Sequence, residues 1–254
     1  MENRMTFNKH HYFDENRYEE DVLEFSGKSL YYWKKIVEDN VNNYKIVRRE
    51  QRYTRLELMA LYNHPLINAK GYVSGVHPLY DIDPHLNSSS RPWMKFFKDE
   101  FKAGAKILDF GCGDLTNSIV FHDMGYNVTT IDLPIEWIRF IEYRCKKYNV
   151  DINFRYTFRD DNFLNKNEMF DYMFSHEVME HVVNPEVVMA YLVSHLNVGG
   201  KFYLTENFDT GGGFHLKDNW EKFGKNKARN SEEWINILKS IKLKQIKENI
   251  FIKE

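Results

Sequence analysis

Lys106-Ile107-Leu108-Asp109-Phe110-Gly111-Cys112-Gly113-Asp114 is the stretch on which the fold turns. Three apolar residues, an acid and two glycines one residue apart predict a buried strand that runs into a tight turn. Glycine suits that turn because, without a Cβ, it lets the backbone come close to a ligand. Asp114 to Val120 then predicts a helix whose N-terminus faces the same ligand. About twenty residues on, a second apolar strand, Asn127-Val128-Thr129-Thr130-Ile131, ends in Asp132. An acid at that place can accept both hydroxyls of a ribose, as in nucleoside-cofactor sites of doubly wound sheets.

The rest of the chain keeps this rhythm. Strands are predicted near 106–110, 127–132, 151–156, 170–175 and 201–206, with helical patterns between them, the signature of a parallel α/β sheet. Asn184-Pro185 opens a helix through Val187, Val188, Tyr191, Leu192 and Leu196, and Ser231-Glu232-Glu233-Trp234 caps another to about Ile241. The ten or so residues from Leu243 to Lys253 leave six or seven strands open. Residues 15–63 read as helices, and Arg91 to Phe101 as a helix with Trp93, Phe96, Phe97 and Phe101 on its core face. The expected architecture is a doubly wound, mostly parallel α/β sheet at 101–254 behind an N-terminal helical cap at 1–100.

Composition narrows the class. At 254 residues with a formal charge of −2, the chain can bury one good core and offers no reason to expect a nucleic acid as partner. Two cysteines make no disulfide framework, the opening residues lack a signal-peptide core, and no uncharged apolar run is long enough to span a membrane. The expectation is a soluble cytoplasmic protein.

A dinucleotide fingerprint needs a third glycine where Thr116 stands, and Asp109 before the first glycine does not belong to it. The Asp-Phe-Gly at 109–111 lacks every other kinase motif. Ile107 to Gly113 together with Asp132 instead resembles the first two motifs of class I S-adenosylmethionine-dependent methyltransferases. The resemblance continues through Phe170-Asp171 into Glu177-Val178-Met179-Glu180-His181, and through Asn197-Val198-Gly199-Gly200, similar to the family's x-P-G-G turn into strand five. It covers roughly residues 104–206.

That resemblance implies S-adenosylmethionine as cofactor, held around Asp109, Gly111, Cys112, Gly113, Asp132, Leu133 and Ser175. It puts adenine near Asp160-Asp161-Asn162-Phe163, with either acid taking the exocyclic amine. His176, at the end of strand four, is the first candidate base, followed by His181 and His215. Glu177, Glu180 and His181 also look like the E-x-x-E-H run that holds a divalent ion in some O-methyltransferases, with His215 as a fourth ligand and Mg²⁺ or Mn²⁺ as the ion. On an α-helix these three residues would share one face; the same run also serves as helix packing. Arg48, Arg52 and Arg55 form a helical row that is either a solvated face or a reader of an anionic acceptor. The (Asp/Asn/Ser)-Pro-Pro-aromatic signature of nucleobase N-methylation is absent after strand four. The leading expectation is therefore O-methylation of a small polar acceptor, a sugar hydroxyl or phosphoryl-type metabolite. The alternatives are N-methylation of a small amine and a non-catalytic binding subunit.

Overall fold

The computed structural model describes residues 15–40, 57, 60, 62, 64–74, 92–100, 102–208, 215–224 and 232–254. Seven strands form one sheet in the order β3-β2-β1-β4-β5-β7-β6. They are β1 (Lys106–Phe110), β2 (Asn127–Asp132), β3 (Asn153–Tyr156), β4 (Phe170–His176), β5 (Leu196–Thr205), β6 (Leu243–Lys247) and β7 (Ile250–Lys253). The first five run parallel, and β7 pairs antiparallel with both β5 and β6. The residues from Leu243 onward thus supply two strands, because the hairpin needs only Glu248 and Asn249 between them. Asn249 takes the left-handed conformation that so tight a reversal requires.

Strand alternation divides the apolar residues between two layers. Ile107, Tyr172, Phe174 and Tyr203 face one side; Leu108, Met173, Phe202 and Leu204 face the other. Burial on both faces explains why these strands read as nearly continuous apolar runs. The first side is covered by α4 (Pro92–Glu100), α5 (Thr116–Asp123) and α6 (Glu136–Lys147). The second is covered by α7 (Pro185–Ser194) and α8 (Glu232–Ser240). Phe97 of α4 sits at the centre of the first layer, in edge contact with Phe121, Tyr126, Tyr172 and Phe174.

The N-terminal layer shares this core. Helices α1 (Glu15–Ser26), α2 (Leu30–Asn40) and α3 (Pro65–Ser74) send Tyr18, Val22, Trp33 and Tyr72 into the cluster that holds Phe140 and Ile141 of α6. A buried ion pair ties α1 to α6, with Arg144 Nε 2.8 Å from Asp21 Oδ2 and both side chains 1% exposed. Tyr148 Oη and Lys147 Nζ reach the same carboxylate. The row Arg48, Arg52 and Arg55 lies outside the described residues.

Two local expectations change. Asn197-Val198-Gly199-Gly200 is no separate turn: it belongs to β5, whose pairing with β4 shifts register between Phe170 and Tyr172. Gly199 (φ +78°) and Gly200, where a Cβ would lie 2.7 Å from Asn197 O, make that irregular strand start feasible. No α-helix starts at Glu177, which is left-handed at φ 55°; Met179–His181 forms one 3₁₀ turn.

Candidate active site

The strand order reverses between β1 and β4, and a cavity of about 240 Å³ opens there at the carboxyl ends of the strands. Its walls come from the turns after β1, β2, β3 and β4.

On one wall the chain leaves β1 through Gly111, whose φ of +79° is left-handed. A Cβ there would lie 2.3 Å from Val178 Cγ2, so the residue after β4 can close on the loop only because this position is glycine. At Gly113 (φ +51°) an added Cβ would meet nothing, since that side is open cavity. Leu115, two residues on, is also left-handed (φ 67°) and precedes α5, which starts at Thr116, two residues later than the sequence suggests.

Asp132 closes β2 against this loop. Its Oδ2 accepts a hydrogen bond from Gly113 N at 2.8 Å and its Oδ1 one from Leu133 N at 2.7 Å. Burial pushes the carboxyl up from its ordinary value, while the two N–H donors pull it down. These donors fix the carboxylate plane with both oxygens at the cavity, and each oxygen keeps a lone pair for a ribose hydroxyl. Asp109 lies underneath instead, 1% exposed, with Ser118 Oγ donating to it at 2.5 Å. Burial raises its pKa to about 7. Cys112 is likewise buried below the loop and does not line the cavity, whereas Leu133 does.

The far end of the cavity differs from the sequence expectation. Thr157, Phe158, Arg159 and Asp160 line it, while Asp161 and Asn162 are exposed outside it. Phe163 stacks on Phe110 at 5.8 Å and packs edge-on to Tyr191, so it belongs to the core. Of the two acids Asp160 lines the cavity, and it accepts from Asn184 Nδ2 at 2.7 Å. Phe158 went unmarked in the sequence because the loop's facing depends on where β3 stops, and β3 is only four residues long.

The histidines also separate. Ser175 faces the interior, fully buried, and so His176 projects to the opposite side, exposed, with Nδ1 2.5 Å from Thr205 Oγ1. Neither lines the cavity; Glu177, Val178 and His181 do. Behind them Glu180, His181 and His215 form a group whose ligand atoms all lie within 4.8 Å of one another. The segment carrying His215 is held by the 3₁₀ turn: Leu216 N donates to Glu180 O at 3.1 Å, and Asn219 Nδ2 lies 2.7 Å from Val182 O. Glu177, the remaining expected ligand, falls outside the group because a left-handed residue followed by a 3₁₀ turn does not stack i and i+3 as an α-helix does. Its charge still reaches Glu180, whose carboxyl burial pushes up to about 7; burial pushes Glu206 up to about 8.

One carboxylate and two imidazoles suit Mn²⁺, Fe²⁺ or Mg²⁺. The buried Glu180 Oε2 has no hydrogen-bond donor among the described residues, and a cation would satisfy it.

These raised acids set a pH dependence for the metal-free protein. Asp109, Glu180 and Glu206 hold protons in the folded state that they release near pH 4 when unfolded, so their contribution is complete at low pH and is lost as pH rises to about 8. The urea midpoint is expected to be higher at about pH 5.5 than at about pH 8; the opposite order would show that these acids are ionised in the fold.

Relatives agree with this geometry. A family model of the methyltransferase domain matches residues 85–249, about two-thirds of the chain. The chain belongs to that family, the class I S-adenosylmethionine-dependent methyltransferases. A ubiquinone biosynthesis O-methyltransferase of Xanthomonas euvesicatoria pv. vesicatoria is 31% identical over 101 residues, which are 40% of this chain and 42% of that enzyme. The chain thus spans about two-fifths of the length of the curated relatives it matches. Among solved structures, the cyclase SpnF covers 77% of this methyltransferase-family chain and 74% of its own, at TM-score 0.55 and 15% identity. Phosphoethanolamine N-methyltransferase 2 of Haemonchus contortus, bound to phosphomonomethylethanolamine and S-adenosylhomocysteine, covers 75% and 44% at TM-score 0.52 and 16% identity. These two share the fold while carrying different reactions, so the reaction has to be argued from the site.

Proposed function

We propose that this chain transfers a methyl group from S-adenosylmethionine to an oxygen of a small polar acceptor. The observation that carries this is the meeting, on one cavity, of the Gly111–Gly113 loop and Asp132 with a second wall of Glu177 and His181. The first wall suits the ribose and methionine parts of the cofactor. The second supplies the acid and imidazole groups that a hydroxyl needs before it can attack a methyl. Asp160 and Phe158 suit the adenine, one as acceptor from its amine and the other as an apolar surface. The likeness to an O-methyltransferase supports oxygen as the receiving atom.

Glu180, His181 and His215 would hold a divalent ion, Mg²⁺ or Mn²⁺, beside the acceptor. Bound there, the ion would stabilise negative charge developing on the acceptor oxygen. In the ion-free protein the role of proton acceptor falls to His181 ahead of His176, because His181 borders the cavity; with the ion bound, its lone pair goes to the metal. The protein in Mn²⁺ is expected to show a bound-ion magnetic resonance signal that Glu180→Gln and His215→Ala abolish and His176→Ala keeps. Mn²⁺ binding unchanged in Glu180→Gln and His215→Ala would leave the run as packing alone.

A second reading, methylation of a small amine, is favoured by the acid Glu177 on the acceptor side of the cavity wall, which suits a cationic acceptor. An extract from the source cell, incubated with the protein and scanned for a mass gain of one methyl, identifies the acceptor; chelator sensitivity of that gain separates the two readings.

A further inference from the structure

Among the described residues, Tyr62 is the one residue ahead of β1 that lines the cavity. It lies three residues ahead of Pro65, where α3 starts. Helix α3 docks on the first turn of α6: Asn68 Oδ1 accepts from Trp137 N at 3.2 Å, and Tyr72 Oη donates to Glu136 Oε1 at 2.7 Å. Gly71 allows this approach, since a Cβ there would lie 2.4 Å from Trp137 Cγ. Helix α6 itself follows directly from Asp132 through Leu133, Pro134 and Ile135. The same short connection that presents the ribose-binding acid therefore also leads into the helix on which α3, just after Tyr62, is docked.

We infer that Tyr62 is a cofactor-covering residue whose ring packs over the ribose–sulfur segment of bound S-adenosylmethionine, where the cofactor meets the acceptor. This rests on the cofactor assignment above. Tyr62 shares the cavity with Gly113 and Asp132 on the cofactor wall and with Glu177 and His181 on the acceptor wall, so it stands where the two ligands must meet. Burial raises the phenol's pKa, and the charges of Asp132 and Glu180 raise it further, so the ring stays neutral between two acids. A neutral aromatic face is suited to a positive sulfur. It also excludes water from the transferring methyl.

The test uses S-adenosylhomocysteine as the probe, titrated calorimetrically into the wild-type protein and into Tyr62→Phe, Tyr62→Ala and Asp132→Ala. Tyr62→Ala is expected to weaken binding roughly tenfold, from the loss of an aromatic contact, and Tyr62→Phe by less than about threefold. A second arm places a thiol at the position with Tyr62→Cys and follows maleimide labelling, against a low background because Cys112 and Cys145 are both buried. Saturating S-adenosylhomocysteine is expected to slow that labelling at least tenfold. Wild-type affinity in Tyr62→Ala, or labelling indifferent to bound ligand, overturns the inference while the cofactor assignment stands. If the wild-type protein fails to bind, or Asp132→Ala binds as well as wild type, the cofactor assignment falls and the cover falls with it.

Discussion

Asp132→Ala is expected to weaken S-adenosylhomocysteine binding about a hundredfold or more. Hydrogen bonds to a charged group contribute about 1.5–3 kcal/mol each, and this carboxylate is oriented to offer one oxygen to each ribose hydroxyl. Its two existing partners, Gly113 N and Leu133 N, hold that orientation before any ligand arrives, so no ordering cost is added on binding. The substitution also releases the glycine loop from the end of β2. Asp132→Asn keeps one acceptor oxygen and should fall between alanine and wild type. Calorimetric titration at constant ionic strength decides it: an alanine variant within threefold of wild type would place the ribose elsewhere.

The largest effect on stability is expected from Asp21→Ala. Arg144 is 1% exposed and donates through Nε to Asp21; its guanidinium also lies over the rings of Tyr18 and Tyr148 at 4.8 and 5.6 Å. Removing the carboxylate deprives a buried cation of its acid, and breaking such a pair costs about 3–5 kcal/mol. For a chain of this size that is a fall in melting temperature of about 6–20 °C. The double variant Asp21→Leu with Arg144→Met removes both charges and should recover most of the loss. Thermal unfolding of the three proteins tests this, and an unchanged midpoint in Asp21→Ala would mean that the N-terminal layer does not depend on the pair. Because Tyr18 of the same helix donates to Tyr72 O on α3, loosening α1 should also be felt at Tyr62 through α3.

The glycine loop, Asp132 and the parallel sheet were legible in the chain because each depends on contiguous residues. An apolar strand must end in a turn that glycine permits, and the acid sits one step beyond the next strand. Facing was legible only where the strand was long enough to fix it. At the end of β4 a single step separates Ser175, inside, from His176, outside, and that step took the first candidate base away from the cavity. After β3 a similarly small offset moved the cavity wall from Asp160-Asp161-Asn162-Phe163 to Thr157–Asp160.

Local sequence alone placed the glycine loop and Asp132 at the strand ends, since backbone sterics and period-two alternation act within a few residues. Tertiary structure alone decided the acceptor-side half. Glu177 leaves the helix face because the chain turns left-handed there and then tightens into a 3₁₀ turn. His215 joins Glu180 and His181 because Asn219 and Leu216 bond to that turn's carbonyls from more than thirty residues away. Tyr62 shares the cavity with Asp132 although seventy residues of sequence separate them. Such contacts are set by which surfaces bury each other, and no local pattern encodes that choice.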